Sequence, residues 1–465
     1  MLVSLVDFWA LVYYNFTNKG LTESGDHMSH TLTIRHLGPI ERCELTPNKF
    51  TVLTGPQSNG KSTVAKAIFF FRTVKQDILN IMMQGGPARS TGIPGVTWKK
   101  TVERRMRDKF LELFGTTWIM PDDLFLKYNF KKDVFIAVSL QPSIEDFEKN
   151  YISFEFGQKL LDYFMERDQR NYLSMTAGQR KSEEEKLAQL FDDAYETVFI
   201  PAGRNLITLL STQLNYIFTS LEASQLRNID YLTKRYTELI LKMKDSFADG
   251  LSGFAAKSKA DPETYPKYKM NQPSINVLLK KSREILQGDY RYVDGDERLY
   301  LDSRRYVKIN YTSSGQQEIV WVLNLLGYYL ITGKKVLLMI EEPESHLYPN
   351  AQQEVAELLS IFANAGNEVL VTTHSPYILG SFNYMLLAAQ TEHSKREIIK
   401  QIVDLKNWIT PDHISAWFVE KGEVRSALDD SENCILIQNE LIDEASTRIN
   451  DRSDRILEQM YEEEG

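Results

Sequence analysis

Gly55, Pro56, Gln57, Ser58, Asn59, Gly60, Lys61, Ser62 and Thr63 follow one another with two glycines, an ammonium and hydroxyls at the spacing G-x-x-x-x-G-K-[ST]. At ordinary glycine usage, this pattern arises by chance in only roughly 2% of chains of such length. The chemistry it permits is the cradling of a polyphosphate. Glycines let the backbone approach the ligand without a Cβ in the way, and successive N–H groups at a helix N-terminus then point at the β-phosphate. Lys61 reaches the β and γ oxygens, and the Ser62 hydroxyl is placed to ligate Mg²⁺. ATP and Mg²⁺ are the expected ligands.

Hydrolysis needs carboxylates as well, and KKVLLMIEEPESHLYP places two at the end of a wholly apolar run. Glu341 is expected to hold the metal directly or through water, and Glu342 to polarise the attacking water. In EVLVTTHSP, His374 stands at the end of a second apolar run, where an imidazole could contact the γ-phosphate. The fourth element is YTSSGQQE, where Ser313, Ser314, Gly315, Gln316 and Gln317 open a helix and so offer a hydroxyl and free N–H groups to an anion. Alone, Ser-Ser-Gly before a helix is an N-cap; its place before the acidic strand suggests more.

These groups are useful only if strands and helices bring them together. The segment HTLTIRHLGPIERCELTPNKFTVLTG reads as two strands, the second (Phe50 to Thr54) feeding the glycine-rich loop and then a helix. DVFIAVSL and YISFEF alternate as strands, SEEEKLAQLFDDAYE as a helix, and TVFIPAGR as a short strand. DYRYVDGDERLYLDSRRYVKINY carries Asp294-Gly295, a hairpin signal. From Ser314 the order is helix, VLLMI, helix, EVLVTT, which predicts parallel strands covered by helices. The fold class expected is α/β: a P-loop ATPase head of the ABC type, with a mixed sheet, helices on both faces, an antiparallel β subdomain and a helical insertion.

Composition agrees with a globular chain: 465 residues, 43% hydrophobic. A net charge of -9 argues against a surface built throughout to coat nucleic acid, yet one basic cluster, Lys99, Lys100, Arg104, Arg105, Arg107 and Lys109, crowds a predicted helix. It reads either as a solvated helix face or as a phosphate-binding face. Two distant cysteines, Cys43 and Cys434, indicate neither a disulfide framework nor a zinc site and suit a reducing cytosol. The apolar start MLVSLVDFWALVYYN is shorter than the ~20 residues of a membrane span, and no membrane partner is expected. Residues 1–30 are read as an extension outside the fold, 31–205 as a first head lobe with the P-loop, and 206–287 as a helical insertion, either a coiled coil or an ordinary subdomain. Residues 288–400 form the second lobe, and 401–465 a C-terminal segment of two strands and a charged helix.

GPQSNGKST, IPAGR, INYTSSGQQE, MIEEPESHLYP and VTTHSPYIL together resemble the AAA/ABC-type ATPases of the overcome-lysogenization class, relatives of RecF and SMC heads. The resemblance spans about Leu32 to Leu387. It implies that Ser313 to Gln317 serve the P-loop of a second copy, so that a head-to-tail, two-fold homodimer sandwiches two ATP molecules, with larger oligomers open. It also places Arg204 near the nucleotide-bearing head, as a site residue or as a buried ion-pair arginine, and makes Gln141 one candidate among several for the glutamine on the Mg²⁺ side. Members of the class that continue into a Toprim nuclease carry a later Asp-x-Asp pair. Here FVEKGE only echoes the opening of that domain. The resemblance therefore extends to ATPase subunits of bacterial anti-phage operons, of the PARIS type first and the Septu type second, which restrain or direct a separate Toprim-type nuclease effector and answer a phage-encoded trigger. A DNA-maintenance ATPase of RecF type, binding DNA through the basic helix, is the alternative.

Overall fold

A computed structural model describes residues 30–87, 96–142, 150–167, 176–208, 230–430, 434–438 and 451–455. The expected N-terminal extension, part of the helical insertion (209–229) and most of the terminal helix lie outside the described residues.

The chain runs β1 (Thr31–Leu37), β2 (Ile40–Leu45), β3 (Phe50–Thr54), α1 (Lys61–Arg72), α2 (Val74–Met83), α3 (Val96–Phe114), β4 (Phe125–Lys131), β5 (Val134–Pro142), β6 (Asn150–Phe156), α4 (Gln158–Arg167), α5 (Ala177–Phe191) and β7 (Glu196–Ile200). There follow α6 (Tyr231–Met243), α7 (Gly250–Ala260), α8 (Tyr268–Leu286), the hairpin strands β8 (Asp289–Val293), β9 (Asp296–Tyr300) and β10 (Tyr306–Lys308), and α9 (Ser314–Thr332). The rest is β11 (Val336–Glu341), α10 (Pro349–Asn364), β12 (Glu368–Thr372), α11 (Pro376–Ala389), α12 (Arg396–Ile402), β13 (Ile414–Glu420), β14 (Glu423–Ser426), β15 (Leu428–Asp429) and β16 (Leu436–Ile437).

Among the described residues, eleven strands form one mixed sheet in the order β6-β5-β4-β1-β2-β14-β13-β3-β12-β11-β7. From β13 to β7 every pairing is parallel, and from β6 to β2 every pairing is antiparallel. The antiparallel subdomain is thus one half of the same sheet. The central parallel strands β3, β12 and β11 are buried on both faces, as strands covered by helices on each side must be. Along β11, Val336, Leu338 and Ile340 enter one core with helices α6 to α11, while Leu337 and Met339 enter the opposite core with α1 to α3. Parallel pairing also sets all five strand C-termini on one edge, where α/β sheets gather ligands.

Three expectations are corrected. The first segment makes three strands, because Gly38-Pro39 turns the chain and Pro47 with Asn48 breaks it again before β3. In the helical stretch the loop ends at Lys267, and Pro273 lies inside α8, whose first turns are held by Asn271 Nδ2 donating to Leu330 O at 2.8 Å. Its described helices bury Tyr236, Ile240, Leu251, Phe254, Ile275 and Leu278 in the core they share with α9, which makes them a layer of the head. Lastly, residues 414–426, expected in a C-terminal segment set apart from the two lobes, belong to the head's sheet: β13 pairs with β3 from Ile414↔Phe50 to Phe418↔Thr54. FVEKGE is the turn of the β13–β14 hairpin, with Lys421 and Gly422 at φ 50° and 82°. No helix of the described residues is long and apolar enough to cross a membrane.

Candidate nucleotide site

β3 is buried throughout, so it delivers Gly55 to the sheet edge with little freedom. Gly55 has φ 135°, and a Cβ there would lie 2.3 Å from Val419 O of β13. The loop then turns through Ser58 at φ 64° and Gly60 at φ 101°, the residue that caps α1. Lys61 is buried and donates from Nζ to Gly55 O and Pro56 O, both at 2.8 Å, which places the ammonium at the mouth of the loop. Burial lowers its pKa, opposed by the carboxylates of Glu342 and Glu344. Ser62 is exposed at the first turn of α1, and Asn59 Oδ1 accepts from Lys421 N at 3.0 Å, tying the loop to the β13–β14 turn.

At the end of β11, the Glu341 side chain is buried; Oε2 accepts from Ala202 N at 3.2 Å and Oε1 has no partner. A buried carboxylate oxygen without a partner asks for a ligand. Together with the Ser62 hydroxyl it offers only hard oxygen donors, the set that suits Mg²⁺, which keeps waters and substrate phosphates as its other ligands.

Glu342 adopts φ 43°, a left-handed conformation that costs a non-glycine residue about 1–3 kcal/mol and must be held by its surroundings. Glu342 N donates to Thr372 O at 2.9 Å, and Glu342 O accepts from Ser345 N and from Arg204 Nη2. The turn swings the carboxylate into an open cleft of about 510 Å³ shared by Gln57, Glu344, His346, His374 and Tyr377. His374 Nδ1 stands 3.6 Å from Oε1 of Glu342 and of Glu344. This loose polar contact with Glu342 comes first in raising the imidazole's pKa, and first in lowering that of Glu342. The cleft therefore pairs an ionised carboxylate with a readily protonated imidazole, beside the P-loop.

Ser313 caps α9 in a capping box: its Oγ accepts from Gln316 N at 3.3 Å, and Ser313 N donates to Gln316 Oε1 at 3.0 Å. Gln316 also donates to Leu286 O at 2.7 Å, and Gln317 is buried, with Nε2 on the carbonyls of Ile309, Asn310 and Thr312. Both glutamine side chains are committed within their own subunit. Ser314 remains exposed, beside Tyr311 at 77% exposure. Gly315 packs on the loop after the acidic strand, since a Cβ there would stand 2.6 Å from His346 O.

Arg204 is fully buried; its guanidinium donates to Pro201 O, Glu341 O, Glu342 O and Glu318 O and pairs with the Glu318 carboxylate, Nε to Oε2 at 3.1 Å. It makes no opening onto the cleft. Gln141 is exposed near the end of β5, opposite Tyr151; it shares the P-loop edge, but five strands lie between β5 and β3. Of the basic cluster only Lys109 is buried, on Asp77 and Thr73; Arg107 is half-buried and stacks 4.5 Å over Tyr151, and Arg105, 3.8 Å from Asp77, is exposed. Lys99 pairs with Glu103, and Lys100 and Arg104 are exposed as well.

Sequence reasoning passed over Glu344 and Glu318. Glu344 is buried and accepts from Thr373 Oγ1 at 2.7 Å and His374 N at 3.0 Å, which fixes the histidine loop to the acidic one. The third acid of EEPE was its signal; Glu318, inside a helix, had none.

A protein-family model described as the AAA ATPase domain matches residues 122–379, more than half of the chain, and the chain belongs to that family. No curated protein matches it. Among solved structures, it is similar to an SMC head bound to the C-winged helix domain of ScpA, with TM-score 0.37, 11% identity, and 85% of this chain and 95% of that chain covered. It is similar also to the Pyrococcus furiosus SMC head with an extended coiled coil bound to the C-terminal domain of ScpA (TM-score 0.36, 12% identity, 92% and 98% covered). The Thermotoga maritima SMC head domain gives TM-score 0.32 at 12% identity, with 85% and 97% covered. P-loop, acidic strand end and family define an ATPase of the AAA class.

Proposed function

We propose that this ATPase hydrolyses ATP at a composite site made by two copies of the chain, and that the dimer is the sensor and regulatory subunit of an anti-phage complex controlling a separate nuclease. The observation that carries the hydrolytic part is the cleft in which Glu342, Glu344 and His374 face Gln57 of the P-loop. In this reading the loop amides and Lys61 hold the β- and γ-phosphates. Glu342, kept ionised by His374, orients and polarises the attacking water, while His374 meets the γ-phosphate and Glu344 keeps the histidine in place. Mg²⁺, held through Ser62 and Glu341, would neutralise charge developing on the transferred phosphoryl group.

The dimer rests on α9. Its exposed first turn, with Ser314 and the free N–H groups beside it, is an anion site offered outward. A second copy's γ-phosphate would complete it, in a two-fold, head-to-tail arrangement. The regulatory role rests on the motif resemblance. The placement of FVEKGE as a hairpin of the ATPase sheet supports it, because that segment then belongs to the head. The burial of Lys109 and the stacking of Arg107 on Tyr151 count against a DNA-binding helix.

The test is phage challenge of cells carrying this gene with its native neighbours, wild type against Lys61→Ala, alongside co-purification of the neighbouring product. Protection lost in Lys61→Ala and a co-purified nuclease are expected. Equal plating with and without the intact locus, or a chain that recovers no neighbour, would contradict the regulatory part.

A further inference from the structure

We infer that Arg204 and Glu318 form a positioning pair that locks the acidic strand end to the helix offered to the second copy, so that Glu342 reaches its working geometry only when that helix is held. The inference rests on the composite-site reading above.

The strand β7 ends in Pro201-Ala202-Gly203-Arg204, at the same sheet edge as Glu341, because β7 and β11 run parallel with Ile340↔Ile200 in register. From there the Arg204 side chain turns back under the acidic loop. Nη1 donates to Pro201 O at 3.0 Å and Glu341 O at 2.6 Å, and Nη2 donates to Glu342 O at 3.0 Å. Nε donates to Glu318 O at 3.2 Å and stands 3.1 Å from Glu318 Oε2. The planar fork thus holds two successive carbonyls of the acidic pair, which a lysine's single ammonium could not do in the same geometry.

Glu318 closes the link from the other side. It is 1% exposed, and its carboxylate accepts from Arg204 N and Asn205 N, both at 3.1 Å. Thr208 Oγ1 adds a bond to Gln317 O at 2.8 Å. Glu318 lies in the second turn of α9, just past the residues that face the second copy in the dimer reading. His346, whose carbonyl packs on Gly315, brings Nδ1 to 3.7 Å from Glu318 Oε1. One buried carboxylate therefore joins the N-terminal turns of α9, the segment after β7 and the loop after the acidic strand.

Two features argue that this junction is more than packing. Glu342 is strained at φ 43°, and Arg204 grips the carbonyl of that very residue. A buried ion pair also contributes little net stability compared with an apolar pair of equal volume, while fixing geometry closely. Movement of the α9 N-terminus would pass through Glu318 and Arg204 to the backbone that aims Glu342. Displacements of about 1 Å at such a group cost on the order of 100-fold in rate.

The test compares Arg204→Lys, Glu318→Gln and the double variant with wild type, in the full-length chain. Steady-state ATP hydrolysis is resolved into kcat and KM, Mg-ATP affinity is measured calorimetrically, and nucleotide-driven dimerisation is followed by light scattering. Each single variant is expected to lose roughly 100-fold in kcat, with KM, affinity and dimerisation within about threefold of wild type, and the double variant no more than either single. Glu318→Gln keeps the side chain's shape and one of its two acceptor oxygens while removing the charge, so it keeps the test open where Arg204→Lys fails to fold. Unchanged kcat in Glu318→Gln, or a loss confined to KM and affinity, overturns the pair's role. Wild-type protein that turns over no ATP overturns the composite-site reading instead.

Discussion

Gly55→Ala probes the contact between the P-loop and the C-terminal strand. A methyl group at Gly55 would sit 2.3 Å from Val419 O and 3.1 Å from Val419 C. A carbon–oxygen contact relaxes only beyond about 3.3 Å, so β13 and the loop must part by roughly 1 Å. Neither can move easily: β13 is laddered to β3 over five residue pairs, and Val419 itself is fully buried. Overpacking of this kind costs about 1–3 kcal/mol, and the positive φ adds about 1–3 kcal/mol. Against a total stability of ~5–15 kcal/mol this is a large fraction. Differential scanning fluorimetry should show melting lowered by several degrees, and isothermal titration should show Mg-ATP binding weakened at least tenfold because Lys61 is displaced. Gly178→Ala serves as the control: the site is open, lies in the first turn of α5, and should be neutral or slightly stabilising. Melting and affinity of Gly55→Ala indistinguishable from wild type would refute the wall formed by β13.

Asp77→Ala should destabilise the fold by about 3–5 kcal/mol, read by urea unfolding, since it strands the buried Lys109 ammonium. Charge reversal at the exposed Lys100 and Arg104 should leave unfolding unchanged within about 0.5 kcal/mol. Histidine ring NMR should place the His374 midpoint above its ordinary 6.5, moving down in Glu342→Gln, because the carboxylate raises it. The sign follows for stability. The His374 contribution is complete below pH 6.5 and fades as pH rises through the raised value; the Glu342 contribution is complete above its ordinary 4.5 and fades as pH falls through the lowered one. Their interaction is thus fully expressed between those limits. A chain ending at Leu405 should fail to fold, measured by loss of a cooperative melt, because β13 fills the place beside β3 in the sheet.

Local signals in the sequence marked the segments that the structure brings to one sheet edge. The P-loop spacing, the apolar run closed by Glu341 and Glu342, and His374 one crossover later all depend on neighbours within a few residues. They also announce parallel strands, which share an edge by geometry. The pairing of β13 with β3 was not legible, because strands from opposite ends of the chain carry no periodic mark of each other. Lys109 looked like part of a basic surface until α3 turned it onto Asp77, since helical spacing tells which residues share a face but not what covers it. The reach of Arg204 to two carbonyls needed the positions of three elements at once. Glu318 is one glutamate among many until a buried arginine is found beside it.

The most direct test of the account is Glu342→Gln, measured for Mg-ATP turnover and for assembly in the same preparation. The account predicts ATP affinity like that of wild type, a stable nucleotide-bound dimer, and hydrolysis lowered by about 10²–10⁴-fold. Turnover equal to wild type would contradict it.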